Sequence, residues 1–325
     1  MKLDFDPRKN MSAFAYYYSK IDKINSLFQI RRIVKNWYMV GLFRAGLKKT
    51  VRMKFRDGKQ ICIKSKKEYF KFWDTLEGEK ELLKNIMNSK IKIQKNYVML
   101  RYKNRNLKFN YDTMRQLINT VWVLNENFIE LEYDKLKVID RVVVDIGANI
   151  CDTSIYFALR GAKHVYAFEP YPYSYNIAKR NIRLNHLEDK ITLLNEGCGK
   201  SGFVTIKEDY ENTGGTDLKN FKEGKKIRIE NLDEIVKSFN LTHAALKVDC
   251  EGCEYDLMLN ASEEALCAFD QIVIEYHYGY KNLVKKLKQA GFIVKYSLPD
   301  YFYDIEAEDS NKYQGLIYAK KQNAR

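Results

Sequence analysis

The sequence has little proline and histidine and no long uncharged hydrophobic run. Only 4 of its 325 residues are proline and only 4 are histidine. The apolar stretch WYMVGLF at 37–43 is far too short to cross a bilayer, and the first ten residues contain acids but no apolar segment. We therefore expect no transmembrane segment, no signal peptide, and a soluble protein of the cytoplasm.

Cysteine is also too sparse for a disulfide scaffold, because 6 residues are scattered through strand and helix patterns. Cys250 and Cys253 form a C-x-x-C pair, a spacing that elsewhere serves zinc binding or redox chemistry. The second pair that a typical zinc site needs is missing. We predict that these two residues are packing or incidental thiols.

Positive charge and aromatic residues are abundant. Lys and Arg number 56 against 42 Asp and Glu, a net charge of +14, and the chain is 46% hydrophobic and 14% aromatic. This hydrophobic content suffices for one large globular domain with a substantial extension. The basic charge favours an anionic partner, whether nucleic acid, a membrane surface or a nucleotide-linked substrate.

Residues 1–137 are predicted to form an accessory region of helices and hairpins. Apolar residues at helical spacing between Ile21 and Phe28, with Lys and Arg among them, predict a basic amphipathic helix within 13–48. Hairpins are predicted for VRMKFRDGKQICI and VMLRYKNRNLKFNY, with a helix over EYFKFWDTLEGEKELLKNIM between them. The pattern favours a scaffold that caps the main domain over a dedicated nucleic-acid module.

Residues 138–325 alternate between strand and helix patterns. RVVVDIGAN, HVYAFEP, KITLLNEG, AALKVDCEG and QIVIEYH are predicted strands, and DTSIYFALRG, YSYNIAKRNIRLN, ENLDEIVKSFN and NLVKKLKQAG are predicted helices. FIVKYS and GLIYAKK are predicted to close the domain as strands. Such alternation predicts a doubly wound α/β domain with a mostly parallel sheet, whose ligands lie at the carboxyl ends of the strands.

The stretch VVVDIGANICD at 142–152 predicts a strand, a glycine turn and a helix start. Free backbone N–H groups and the helix dipole at such a turn are expected to hold a polar ligand. A G-x-G-x-x-G fingerprint starting at Gly147 fails, because positions 149 and 152 are Asn149 and Asp152. NAD is therefore disfavoured.

Two acids at successive strand ends predict a cationic nucleoside ligand instead. Glu169 is placed to accept hydrogen bonds from both hydroxyls of an unphosphorylated ribose. Asp145 suits the ammonium end of an amino-acid-bearing nucleoside, directly or through water, as S-adenosylmethionine would offer. The predicted cofactor-binding residues are Asp145, Gly147, Asn149, Glu169, Pro170, Asn195 and Asp249.

DIGANICDTSIYFALRGAKHVYAFEPYPYSYNIAKRN, together with LKVDCEGCEYDLML, resembles the FkbM family of S-adenosylmethionine-dependent methyltransferases. The resemblance covers about residues 125–320 and includes the motif D-x-E-G-x-E, from Asp249 to Glu254. It implies a seven-stranded, Rossmann-like class I methyltransferase sheet, S-adenosylmethionine as cofactor, and O-methylation of hydroxyls on sugars or natural products. Cys151 departs from the family pattern, which usually has glycine there, and its side chain is expected to approach the cofactor's methionyl portion.

His277, Asp249 and Glu251 are the predicted catalytic residues. His277 ends a strand in IEYHYG, the right place for a general base, and Asp249, Glu251 and Glu275 compete for the same role. A divalent cation on Asp249 and Glu251 would lower the pKa of an acceptor hydroxyl, but two acids alone do not establish a metal site, and no metal ligand is assigned.

Three classes of function follow from these patterns. The first is an O-methyltransferase acting on a sugar, glycan or other small molecule. The second is an RNA methyltransferase, favoured by the basic charge and by the aromatic, basic hairpins. The third is a non-enzymatic cofactor-binding protein or one that associates with a membrane surface, favoured by Cys151 and the basic helix.

Overall fold

The computed structural model describes residues 31, 34–54, 60–65, 91–210, 218–303 and 311–322. The first described elements are α1 (Trp37–Arg44), β1 (Val51–Lys54), β2 (Gln60–Ile63), β3 (Ile91–Ile93), β4 (Tyr97–Tyr102), β5 (Arg105–Asn110) and α2 (Met114–Phe128). They come from the predicted accessory region.

The rest of the chain alternates between strands and helices as expected. The first elements of this part are β6 (Val142–Ile146), α3 (Asp152–Leu159), β7 (His164–Phe168), α4 (Pro172–Leu184), β8 (Ile191–Leu194), β9 (Gly197–Cys198), β10 (Gly202–Ile206), β11 (Lys225–Glu230) and α5 (Leu232–Ser238). The remaining ones are β12 (Ala244–Val248), α6 (Cys253–Asn260), α7 (Glu263–Cys267), β13 (Phe269–Tyr276), α8 (Lys281–Gln289), β14 (Phe292–Tyr296), β15 (Asp300–Tyr303) and β16 (Asn311–Lys321).

The central sheet has the strand order β14-β16-β13-β12-β6-β7-β8, with β15 paired to β16 outside this path. Strands β8, β7, β6, β12 and β13 are parallel to one another. Strand β16 runs antiparallel between β13 and β14. The predicted doubly wound, mostly parallel sheet of seven strands is therefore confirmed.

Strand β12 lies at the centre of this sheet, and all of its residues are buried. Burial on both faces is typical of a parallel strand covered by helices on each side. Because β6, β7, β12 and β13 run in the same direction, the residues that follow them meet at one edge of the sheet. That edge carries the candidate site.

Two features of the fold were not predicted from the sequence. Helices α6 and α7 connect β12 to β13, which a parallel pair requires, whereas the sequence patterns gave two strands in succession. Strands β9, β10 and β11 form a separate three-stranded sheet between β8 and α5. The polar loop at 211–217 in this part of the chain lies outside the described residues.

The two hairpins predicted in the accessory region are confirmed. Strand β1 pairs antiparallel with β2, from Val51 opposite Ile63, and β4 pairs antiparallel with β5, from Tyr97 opposite Asn110. The predicted amphipathic positions 21–28 and the predicted helix between the hairpins lie outside the described residues. In the described part of the chain, no helix has both the length and the apolar character needed to cross a membrane.

The domain boundary after residue 137 stays a prediction. Side chains from both sides of it share one hydrophobic core: Leu117 and Phe128 of α2 belong to the same buried cluster as Val143 of β6 and Ile155 of α3. The later strands of the accessory region contribute Val98 to this cluster as well. The described residues from 91 onward therefore support the sheet directly.

Candidate functional site

Gly147 begins the turn after β6 and has a positive φ of 77°. A Cβ on this residue would lie 1.7 Å from the backbone oxygen of Asp249. Any larger residue would therefore force the turn after β6 away from the turn after β12. The glycine is required by this close packing of two backbone segments, which brings the predicted cofactor turn against the D-x-E-G-x-E motif.

The backbone amides of this turn are not free. The N–H groups of Gly147 and Ala148 donate to the Phe168 carbonyl at 3.1 and 2.9 Å. The N–H of Asn149 donates to Glu169 Oε2 at 2.9 Å, and that of Cys151 to the Ala148 carbonyl at 2.7 Å. The prediction that free N–H groups here hold a ligand is wrong for these amides, because they tie the ends of β6 and β7 together.

Glu169, Pro170 and Asn195 lie together at the ends of β7 and β8. Glu169 is buried, and its Oε1 accepts a hydrogen bond from the N–H of Tyr171 at 2.9 Å. Asn195 Nδ2 donates to the carbonyls of Glu169 and Pro170 at 3.0 and 3.1 Å. Burial outweighs the hydrogen bonds that Glu169 accepts and raises its pKa to about 8. At this edge of the sheet, hydrogen bonds therefore hold the Glu169 carboxyl group and the Asn195 amide in fixed positions.

Asp145 is fully buried at the end of β6 and is engaged by its own protein. Its Oδ2 accepts hydrogen bonds from Thr153 Oγ1 at 2.7 Å and Ser154 Oγ at 2.5 Å, both in the first turn of α3. Its Oδ1 lies 3.2 Å from Lys247 Nζ. These contacts hold α3 and β12 against the turn, and a contact of Asp145 with a ligand stays a prediction.

Lys247 was not singled out from the sequence. It lies within the apolar run of β12, is 1% exposed, and donates to the Gly147 carbonyl at 3.0 Å. Besides Asp145, its Nζ approaches Asp249 Oδ2 at 3.6 Å. Although burial lowers the pKa of Lys247, the nearby carboxylates raise it above the ordinary value, so the amine stays charged. The sequence did contain a signal that could have identified this residue, namely a lysine inside a predicted strand that is otherwise apolar.

Asp249, Glu251 and His277 form a cluster at the ends of β12 and β13, which we call the carboxylate–imidazole cluster. His277 Nε2 lies 3.1 Å from Glu251 Oε2 and 3.9 Å from Asp249 Oδ1. The three predicted catalytic residues are thus brought together. Asp249 also accepts a hydrogen bond of 3.3 Å from the hydroxyl of Tyr133, which lies in the predicted accessory region.

Glu254 holds the His277 ring from behind. Its buried Oε1 lies 2.9 Å from His277 Nδ1 and accepts the backbone N–H of His277 at 3.1 Å, while Oε2 accepts the N–H of Gly252 at 2.8 Å. Burial lowers the pKa of His277, but the charges of Glu251 and Glu254 more than offset this effect and raise the pKa to about 10. The ring is an imidazolium at neutral pH when only these residues surround it.

Further acids surround the cluster. Burial, reinforced by the charge of Asp249, raises the pKa of Glu132 to about 7 and raises that of Glu275 well above its ordinary value. Burial also raises the pKa of Asp152, at the start of α3, to about 7. The described carboxyl groups at this edge outnumber the two buried basic side chains, Lys247 and His277, and their raised pKa values mean that several of them bind protons near neutral pH. The site therefore favours positively charged groups.

Cys250 and Cys253 are joined by a disulfide bond, with their Cα atoms 5.4 Å apart. The prediction of two unlinked thiols is wrong, because a left-handed residue at Glu251 and a positive φ at Gly252 fold the chain back between them. The bond closes the turn that carries Glu251. Of the other described cysteines, Cys151 and Cys198 are buried, and Cys62 and Cys267 are exposed.

The central sheet, seven-stranded and mostly parallel with helices on both faces, has the class I methyltransferase fold. Residues 145–294 match the family model described as the methyltransferase FkbM domain, which confirms the resemblance seen in the motifs. The chain therefore carries an S-adenosylmethionine-dependent methyltransferase domain, and its cofactor is S-adenosylmethionine.

Curated relatives match only in part. A stretch of 54 residues, 17% of this chain and 18% of the relative, is 43% identical to a ribosomal protein L11 methyltransferase of Carboxydothermus hydrogenoformans. The AMB antimetabolite synthetase AmbE of Pseudomonas aeruginosa is 27% identical over 204 residues, which cover 50% of this chain and 10% of AmbE. The chain thus spans less than a fifth of the length of either relative.

Among solved structures, TrmK of M. capricolum in complex with S-adenosylhomocysteine is similar to this chain at 16% identity and a TM-score of 0.39. The similarity covers 60% of this chain and 69% of TrmK. Similarity at this level leaves the acceptor of this protein open.

Two substitutions of Cys151, one by a smaller and one by a larger residue, should have different effects. Cys151 has a φ of 61°, which suits glycine, and its side chain is fully buried in the core. In Cys151→Gly, relief of about 1–2 kcal/mol of left-handed strain offsets the lost packing, so we expect unchanged cofactor affinity and a free energy of unfolding close to that of the wild type.

Cys151→Leu is the opposing variant, because it overpacks the same site and should lower the free energy of unfolding by about 1–3 kcal/mol. Urea unfolding and calorimetric binding of S-adenosylhomocysteine measure both quantities. Equal stability of the leucine variant and the wild type would show that the turn is not packed as described.

Proposed function

We propose that this protein is an O-methyltransferase that transfers the methyl group of S-adenosylmethionine to a hydroxyl of a sugar, glycan or other small molecule. One observation carries the proposal. The Glu169–Asn195 group and the carboxylate–imidazole cluster lie on the two sides of the Gly147 turn, which itself packs against Asp249. This arrangement supports a nucleoside site and a proton-accepting site on one edge of the sheet, as methyl transfer to a hydroxyl requires.

The cofactor is proposed to lie across the ends of β6, β7 and β8. Glu169 accepts hydrogen bonds from both ribose hydroxyls, since each carboxylate oxygen retains a lone pair beyond its bond to a backbone N–H. Asn195 borders the adenine, next to Pro170. Asn149, whose buried Oδ1 has no hydrogen-bond partner in the described structure, lies between the ribose and the Gly147 turn. The acids around Asp249 favour the positive sulfonium.

The reaction is proposed to be an in-line displacement. The acceptor oxygen forms a bond to the methyl carbon while the bond from sulfur to that carbon breaks, and the hydroxyl proton leaves to a protein group. Asp249 and Glu251 are partly exposed carboxylates that face the acceptor side, and His277 orients Glu251 from 3.1 Å. Because His277 is charged at neutral pH in this environment, its role as the general base depends on the loss of its Nε2 proton.

The affinity for the cofactor tests the role of Glu169. Glu169→Ala removes charge-assisted hydrogen bonds to the ribose and should weaken the binding of S-adenosylhomocysteine by roughly 1.5–3 kcal/mol, about tenfold or more. In the wild type, affinity should fall as the pH drops below about 8, because Glu169, with its raised pKa, must lose a proton to accept both hydroxyl bonds.

Glu169→Gln is the matched control. It keeps the size of the side chain and should lose this component of the pH dependence, whereas any titration of the ligand itself affects both proteins equally. Calorimetry between pH 6 and 9 gives the comparison. Unchanged affinity in the alanine variant would remove Glu169 from the cofactor site.

The identity of the acceptor is tested by supplying S-adenosylmethionine labelled in the methyl group to fractionated cell material. Label in glycans, lipid-linked sugars or small molecules, in a form that resists mild base and retains an ether linkage, is expected. Label in RNA would replace this acceptor with the alternative that the net charge of +14 favours. Binding of the cofactor without any label transfer would leave only a non-enzymatic role.

A further inference from the structure

The carboxylate–imidazole cluster has the donor set of a divalent metal site. One nitrogen of His277 and one oxygen each of Asp249 and Glu251 lie within 4.8 Å of one another. Ligands in neighbouring positions around an ion at about 2.1 Å are about 3 Å apart. The separations of 3.1 Å and 3.9 Å from His277 Nε2 to the two carboxylates are close to that value.

The orientation of His277 is a second and separate observation. Glu254 is fully buried and lies 2.9 Å from Nδ1, so it accepts the Nδ1 proton and directs Nε2 toward Asp249 and Glu251. When Nε2 loses its proton, its lone pair and the two carboxylates face one point, where a metal ion can take the place of that proton. A carboxylate behind a histidine is the usual means by which proteins orient a ligand imidazole.

The environment separates this cluster from an ordinary acidic patch. His277 is 1% exposed, whereas Asp249 and Glu251 are partly exposed, so one side of the site is closed and the other is open to solvent. A catalytic ion needs such an opening, because part of its coordination sphere must remain for water or substrate. Lys247 neutralises Asp249 from the buried side only, through Oδ2, and leaves Oδ1 toward His277.

We propose that Asp249, Glu251 and His277 bind a divalent first-row transition-metal ion, with Glu254 as the residue that positions His277. A mixed nitrogen and oxygen donor set suits ions such as Mn²⁺ or Zn²⁺ better than Mg²⁺, which prefers oxygen donors alone. The inference rests on the proposed function for the role of the ion. Bound at the open side, the acceptor hydroxyl has its pKa lowered by the ion and loses its proton more readily to a carboxylate or to solvent.

The test uses Mn²⁺ added to full-length, tag-free protein without S-adenosylmethionine. Calorimetry should give one ion per chain, and pulsed electron paramagnetic resonance should show coupling of the bound Mn²⁺ to a ¹⁴N nucleus. A patch of acids that only attracts cations cannot produce that coupling. Absence of stoichiometric binding at millimolar Mn²⁺, or binding without nitrogen coupling, would overturn the proposal.

Three variants assign the ligands. Glu251→Gln, on a partly exposed turn, should weaken Mn²⁺ binding at least tenfold without loss of the fold, and His277→Ala should abolish the ¹⁴N coupling. Glu275→Gln is the control, because it changes a nearby carboxyl group outside the donor set, and its Mn²⁺ affinity should stay within about threefold of the wild type. Equal losses in Glu251→Gln and Glu275→Gln would show general charge attraction and would contradict a defined site.

The two proposals can fail independently. If the protein binds Mn²⁺ with nitrogen coupling but does not transfer methyl groups, the metal site is supported and the proposed function is refuted. If the protein transfers methyl groups at full rate after metals are removed, and binds no Mn²⁺, the proposed function is supported and the metal site is refuted.

Discussion

Replacement of Lys247 by methionine is expected to lower the free energy of unfolding by about 3–5 kcal/mol, the usual effect of removing one partner of a buried ion pair. Lys247 Nζ lies 3.2 Å from Asp145, which is fully buried, and 3.6 Å from Asp249. Methionine preserves most of the aliphatic stem, so the loss comes from uncompensated charge rather than from a cavity. Urea or thermal unfolding measures it.

A double variant separates charge from packing. In the double variant Lys247→Met with Asp145→Asn, position 145 no longer carries an uncompensated negative charge. The volumes of the two side chains stay close to those of the wild type. It should recover a large part of the stability that Lys247→Met alone loses, since neighbouring residues couple by about 0.5–3 kcal/mol. A single-variant loss below about 1 kcal/mol, or no recovery in the double variant, would show that Lys247 is not the counterion of this edge.

His277→Ala should reduce turnover by about 10² or more and leave the affinity for S-adenosylmethionine nearly unchanged. His277 lies at the end of β13 beside Asp249 and Glu251, and in the proposed placement it contacts the acceptor side rather than the nucleoside. Asp249→Asn should reduce both turnover and cofactor affinity, because Asp249 lies between the two parts of the site. Steady-state kinetics and calorimetry provide the two readouts.

The dependence of turnover on pH shows how His277 acts. Glu251 and Glu254 raise the pKa of His277 to about 10 against the effect of burial, so in metal-free protein no limb from this residue is expected between pH 6 and 7. An ordinary histidine base would give a limb there. Cofactor affinity that falls tenfold in His277→Ala would place this residue in the nucleoside site and contradict the assignment.

Much of the sheet could be predicted from the sequence, because its strands are short apolar runs that end in turns or charged residues. VVVDI pairs with HVYAF on one side and with AALKV on the other, and the parallel direction of these strands follows from the helical segments that separate them in the sequence. The insertion β9–β11 was missed because β9 is only two residues long, β10 is a short run, and β11 mixes isoleucine with exposed lysine and arginine. Helices α6 and α7 were missed because acidic and apolar residues are closely mixed in both.

The site could be predicted only at the level of residues, and its contacts could not. Strand-end positions placed Glu169, Asp249 and His277 on one edge, as the structure has them. The sequence gave no sign that Asp145 faces Lys247, that Gly147 is fixed by the Asp249 carbonyl, or that Tyr133 reaches Asp249 from the accessory region. Each of these contacts joins segments that are distant in the chain, and their side-chain directions depend on tertiary packing.

The most direct measurement is a crystal structure of the protein with S-adenosylhomocysteine. The expected result is a ribose whose two hydroxyls lie within about 3 Å of the Glu169 carboxylate, as charge-assisted hydrogen bonds require, with the adenine beside Asn195 and the sulfur directed toward Asp249 and the carboxylate–imidazole cluster. A nucleoside bound away from Glu169, or a sulfur directed away from Asp249, Glu251 and His277, would contradict the proposed site.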